Sequence, residues 1–398
     1  MESQNQAQKG TTFLLTCFNG VNALSGVGIL SIPYALSEGG WMSLLLLFIM
    51  AAVCNYTGLL LRRCMDAHPL VRTYPDIGEL AFGYKGRAMI SLFMYLELYL
   101  ICVEFLILEG DNLEKLFPNM NFNVGSLKIG GKQGFVLLSA LVILPTTWLK
   151  NLGLLAYVSA GGVLASIVVV CSVAWAGAID HVGFHERGTL VRWNGVPTAI
   201  SLFAFSYSGH AVLPTLCTSM KDKSQFPRVL VMCFMLCTVN YGTMAVLGYL
   251  MYGEGVKSQV TLNLPVGKLS SRIAIYTTLV NPFTKYAIMI SPISTALEDW
   301  FPFRNSRPIS ILIRTVLLIS TVVVALSIPF FGYLMAFIGA FLSVMVSILL
   351  PCTCYLKIYN AFKSFSLELV SIGGILVLGT AVAVMGTYIS LRQIAAQL

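Results

Sequence analysis

Glu97, His210 and Lys285 stand inside long apolar stretches of this sequence, and Glu104 follows Glu97 one heptad later. A charge at the centre of a bilayer costs about 2.5–3.5 kcal/mol on insertion scales, so such groups face a protein interior or a watery cavity. There they are candidates for carrying protons or balancing charge. Two of the stretches are also interrupted alike. One reads Ser25-Gly26-Val27-Gly28-Ile29-Leu30-Ser31-Ile32-Pro33, and the other Ser206-Tyr207-Ser208-Gly209-His210-Ala211-Val212-Leu213-Pro214. Glycine and proline are the poorest helix formers, and proline removes a backbone donor. A break inside a membrane helix leaves carbonyls free at the end of one half-helix and amides free at the start of the next. Those ends attract cations and anions respectively. Two such breaks at matching places are a pointer to a transport site.

Each ionisable residue has two readings. Glu97 is a proton-carrying acid, or a carboxyl fixed by a neighbouring helix. Glu104 lies nearer the helix end and takes the fixed role, and Glu109 and Asp111 are expected at the interface. Lys285, within Asn281-Pro282-Phe283-Thr284-Lys285-Tyr286, is a buried amine that can gain and lose a proton, or a salt-bridge partner of Glu97 or Glu104. His210 is a proton shuttle, a substrate contact or a hydrogen-bonded structural residue. Phe205 and Tyr207 flank the second break, and Tyr207 is the better candidate for a gate over it, although the stripe Phe203, Phe205, Tyr207 also reads as packing. Asn19 and Asn22 are expected to line the cavity or bond across helices. His181 and His185 fall in a solvated loop.

The elements that position these residues follow from composition. Of 398 residues, 57% are hydrophobic and only 11% charged, which excludes an ordinary soluble domain. About 20 apolar residues cross a bilayer. That length predicts eleven spans, at 11–36, 40–61, 88–110, 134–149, 153–178, 196–218, 227–252, 272–297, 309–327, 329–356 and 366–391. The polar residues 1–10 are read as a short cytosolic tail with no cleavable signal. Of the 25 Lys and Arg residues, fourteen fall on the side of the N-terminus and nine on the other. The bias predicts a cytosolic N-terminus and a C-terminus on the opposite face. The net charge of +8 thus reflects topology and not nucleic-acid binding. The spans group as a five-helix unit over 11–178, a second over 196–356, and one additional helix at 366–391. Each unit opens with a broken helix, and an odd helix count inverts the second unit. The ten cysteines avoid the predicted loops on the far face, so no disulfide framework is expected. Neither a metal-binding motif nor a phosphate-binding loop is present in the sequence.

Several motifs resemble the amino acid/auxin permease family, within the amino acid–polyamine–organocation superfamily. They are Asn19-Gly20-Val21-Asn22 through Gly28-Ile29-Leu30-Ser31-Ile32-Pro33-Tyr34, Tyr74-Pro75-Asp76-Ile77-Gly78-Glu79 with Ala81-Phe82-Gly83, and Leu106-Ile107-Leu108-Glu109-Gly110-Asp111-Asn112. Phe205-Ser206-Tyr207-Ser208-Gly209-His210 through Pro214, Phe226-Pro227, Tyr252-Gly253 and Asn281-Pro282 continue the match. The chain looks most like the plant vacuolar amino-acid transporters, whose frequent long polar N-terminal extension is replaced here by about ten residues. The resemblance implies an all-α polytopic membrane protein with a LeuT-like 5+5 inverted repeat, broken helices 1 and 6, and an eleventh helix. It implies transport of neutral amino acids, not an enzyme. It places substrate between the breaks, on Asn22, Ser25, Gly26, Val27 and Gly28 of one and Phe205, Ser206, Tyr207, Ser208 and Gly209 of the other. Sodium-coupled relatives hold an ion between helices 1 and 8 and often carry Asn where Ile29 stands. Lys285, with Glu97, His210 and Glu104 as further candidates, therefore implies proton coupling without a cofactor. A vacuolar membrane, a monomer, and amino acid and protons as the partners are expected. An amino-acid sensor using the same site and an auxin or small organic-acid carrier are the alternatives.

Overall fold

The computed structural model describes residues 10–124, 127–148, 155–299, 306–361 and 366–397. Ser25-Gly26 ends α1 (Phe13–Leu24), and a short 3-10 turn over Val27–Leu30 leads into α2 (Ile32–Gly39), with Pro33 in its first turn. The two together make one broken span. α3 (Ser43–Asp66) is continuous, and α4 (Tyr74–Leu116) bends sharply at Gly83, whose φ of +66° suits a residue without a Cβ. A small antiparallel hairpin, Phe122–Val124 with Leu127–Ile129, precedes α5 (Gly131–Thr147) and α6 (Leu155–Ala178). The second broken span is α7 (Val196–Ser206) and α8 (Leu213–Ser219), again with proline opening the second half. Then come α9 (Phe226–Tyr252), α10 (Leu269–Glu298) and α11 (Arg307–Ser327). α12 (Phe331–Phe337) continues through two π-helical segments, 338–343 and 345–349, into α13 (Leu350–Ile358), and α14 (Leu367–Ala395) closes the chain.

Each expected span corresponds to one helix or one broken pair. Seven helices among the described residues are long and apolar enough to cross a membrane by themselves. The half-helices are too short alone. α10 is long enough but carries Arg272, Asn281 and Lys285, which dilute its hydropathy.

The 74–82 segment departs from expectation. It lies outside the expected spans, but it is helical. Thr73 and Asp76 form a reciprocal capping box, Pro75 fits the first turn, and Arg87 folds back onto Asp76 at 2.9 Å and Glu79 at 2.6 Å. The π-winding was also not foreseen.

The broken spans lie at the centre. α1 packs on α6 and α9, α2 on α7 and α9, and α4 on α5 and α10. The 331–358 span is mostly enclosed, with 72% of an 18-residue apolar stretch buried, whereas α14 has 17% and stands at the periphery.

Candidate functional site

The two breaks meet. A Cβ on Gly28 would lie 2.7 Å from the Ser206 hydroxyl and 3.0 Å from its Cα, so only glycine permits this approach. A Cβ on Gly26 would meet nothing within 4 Å, which leaves open space beside the first break. The carbonyls released at the end of α1 are taken up from outside the helix. Lys285 Nζ donates to the Asn22 carbonyl at 3.1 Å and the Ser25 carbonyl at 3.2 Å. The Tyr241 hydroxyl lies 2.7 Å from the Leu24 carbonyl and 3.0 Å from the Ser206 carbonyl, and so bridges the two breaks. Val27 is buried with Gly28 in the turn that follows.

The second break is held differently. Ser208 and Ser343 both donate to Glu97 Oε1, at 2.6 and 2.7 Å, and Ser347 lies 3.4 Å from Ser208. His210 is fully buried, with Nε2 3.0 Å from both the Cys54 carbonyl and the Thr57 hydroxyl. A carbonyl only accepts, which assigns the ring hydrogen to Nε2. His210 thereby pins the break to α3.

The structure thus sends Lys285 and Glu97 to different partners, and neither forms the salt bridge left open by the sequence. Tyr207 is corrected from gate to packing. Its ring is buried against Phe234 and Tyr241, and its hydroxyl donates to Thr238 at 2.8 Å. Phe205 is buried as well. Glu109 is corrected from interfacial to fully buried, and neither it nor Glu104 has a hydrogen-bond partner on either oxygen among the described residues. Tyr241, Ser343 and Ser347 were missed. Ser343 and Ser347, four apart in an apolar run, were detectable as a polar pair. Nothing in the sequence separates Tyr241 from a packing aromatic.

A cavity of about 590 Å³ runs from the half-exposed Arg87 to the buried Lys285, lined on the way by Asn19, Asn22, Tyr95 and Thr215. It opens on the face that carries residue 10 and the 74–82 helix. That volume lies within the usual range for small-molecule sites. The opposite face is shut. Arg192 donates to the Ser37 carbonyl, Trp41 to the Arg187 carbonyl, Asn112 to Gln259, and Lys132 to the Pro329 carbonyl, all at 2.6–2.9 Å.

An all-helical membrane domain with two broken spans meeting at its centre, open to one face and shut to the other, is the LeuT-like architecture of secondary carriers. A solved structure of a Na+-coupled sialic acid symporter, substrate-bound and outward-open, aligns with 95% of this chain and 89% of its own, at a TM-score of 0.58 and 11% identity. The chain belongs to the transmembrane amino acid transporter protein family, whose model matches residues 9–392. It is 54% identical over 401 residues to amino acid transporter AVT1I of Arabidopsis thaliana, covering 99% of each chain. It is 52% identical to AVT1J of the same plant, over 97% of this chain and 92% of that one. The vesicular GABA transporter of Caenorhabditis elegans is 24% identical over 99% of this chain and 82% of its own. The family is one of transporters and not of enzymes, and this chain is a multi-pass membrane protein.

Proposed function

We propose that this protein carries neutral amino acids across the vacuolar membrane by alternating access, coupled to protons. The observation that carries the reading is the Lys285 ammonium, hydrogen-bonded to the Asn22 and Ser25 carbonyls where the chain of α1 breaks. A tethered ammonium there supplies the positive charge that a bound metal ion supplies elsewhere, and a buried lysine can gain and lose a proton. The amides of the turn from Val27 suit the substrate carboxylate, and the carbonyl end of α7 suits its ammonium. Gly26 leaves room for the cargo. Relatives named for amino acid transport and for vesicular GABA transport support a small zwitterion. The vacuolar address rests on the likeness of the motifs to plant vacuolar carriers. The basic-residue bias supports a cytosolic N-terminus, so the 590 Å³ cavity would face the cytosol.

Purified protein in proteoliposomes, given an imposed pH gradient and labelled amino acids, tests this. Accumulation of neutral amino acids should follow the proton gradient and ignore sodium. Uptake indifferent to the pH gradient would reject proton coupling. Binding without uptake would instead identify an amino-acid sensor.

A further inference from the structure

Glu97, Glu104 and Asp111 repeat at heptad spacing along α4. Seven residues turn a helix almost twice, so the three carboxyls share one face, about 10.5 Å apart at a rise of about 1.5 Å per residue. The inner end of the file is Glu97, which accepts from Ser208 of the second break and Ser343 of the facing span. The outer end is Asp111, which pairs with Lys132 of α5 and accepts from Gln259 Nε2 at 2.8 Å. Asp111 also lines a far-face pocket of about 370 Å³, with Tyr34, Lys132, Lys257 and Phe330. Between the two lies Glu104, fully enclosed, with no hydrogen-bond partner for either oxygen among the described residues. Its charged neighbours are Asp111 on its own helix and Lys132 on α5.

A buried carboxyl with no partner is costly, and buried polar groups are almost always satisfied by protein or by ordered water. Packing alone gives no reason to keep an acid at position 104. A file of acids from a far-face pocket to the substrate break does give one. We propose that Asp111, Glu104 and Glu97 form a proton path along α4, with water spanning the gaps between carboxyls. A proton from the far face binds Asp111 in competition with its pairing to Lys132. Glu104 releases one proton inward for each that it accepts, so it ends each cycle as it began. Glu97 receives the proton beside Ser208, where it alters the hydrogen bonds that hold the second break, and releases it to the opposite face before the next cycle. The proposal rests on the proton-coupled reading above.

Glu104→Gln keeps the size of the side chain and removes its ability to pass a proton. In proteoliposomes, gradient-driven accumulation should fall at least tenfold, while exchange of labelled for unlabelled amino acid at equal pH stays within twofold of the unmodified protein. Asp111→Asn should lower accumulation in the same sense but less. Glu109→Gln is the control, because Glu109 is as buried and as unpartnered but lies off this face. It should leave the ratio of accumulation to exchange unchanged. Full accumulation by Glu104→Gln would overturn the path. So would loss of exchange in step with accumulation, which marks a packing residue, or a Glu109→Gln that behaves like Glu104→Gln. Unmodified protein that ignores the gradient would instead defeat the coupling reading itself.

Discussion

The two breaks are alike in sequence and unlike in how their loose backbone is held. At the first, a charged side chain on another span, Lys285, takes two carbonyls. At the second, the Ser208 and Ser343 hydroxyls donate to the Glu97 carboxyl, and the His210 imidazole of the break bonds to a carbonyl of α3. The Tyr241 hydroxyl touches both. The first break therefore depends on a cation bound to backbone carbonyls, and the second on an acid and hydroxyls whose hydrogen bonds can be re-dealt. Similar kinks make a passage possible, and the side chains brought to them decide what drives it.

Five changes separate the breaks. Lys285→Ala should have the largest effect. It removes the ammonium and its hydrogen bonds to the Asn22 and Ser25 carbonyls, a bond to a charged group being worth about 1.5–3 kcal/mol. Gradient-driven uptake should fall about a hundredfold, with a lower melting temperature by detergent thermal shift. Retained uptake would free the first break from the coupling role.

Gly28→Ala forces a methyl group to within 2.7 Å of the Ser206 hydroxyl, so it should destabilise by about 1–3 kcal/mol and cut uptake about tenfold. Gly26→Ala, with open space around its Cβ, should instead leave the melting temperature unchanged and raise KM. Equal behaviour of the two would deny that the space at Gly26 receives cargo.

Tyr241→Phe removes a hydroxyl shared by the breaks. A loss of about 1 kcal/mol is expected, with uptake slowed for every substrate alike. A change confined to one substrate would place Tyr241 in recognition. Tyr207→Phe should be the mildest change, lowering stability by about 0.5–1.5 kcal/mol through the lost Thr238 contact, with KM unmoved. A raised KM would return Tyr207 to the substrate path.

The spans were legible because hydrophobic length is a one-dimensional property, and both breaks announced themselves through Ser-Gly and proline. Lys285 could be singled out because a lysine amid apolar residues is expensive, but its partners could not be read. They are backbone carbonyls of Asn22 and Ser25, some 260 residues away, and every residue has a carbonyl. Tyr241 was invisible for the same reason. The 74–82 helix was legible in principle through Thr73-x-x-Asp76 and was hidden by the short polar run around it. Asp111 reads as an interfacial acid until folding sets it beside Lys132 and a far-face pocket.

One further consequence follows from the winding of residues 338–349. Helices closed by i→i+5 bonds are rare and occur mostly as single turns at functional places. A π-wound segment is wider and shorter than the same residues wound as α. Span 10 thus stores spare length at its middle and not in loops at its ends. Ser343 lies within one stored stretch and Ser347 within the other. The Tyr74 hydroxyl, at the start of the helix on the open face, donates to the Val346 carbonyl at 2.6 Å between them. Letting out that slack would turn both serines about the axis and draw on Tyr74 at once.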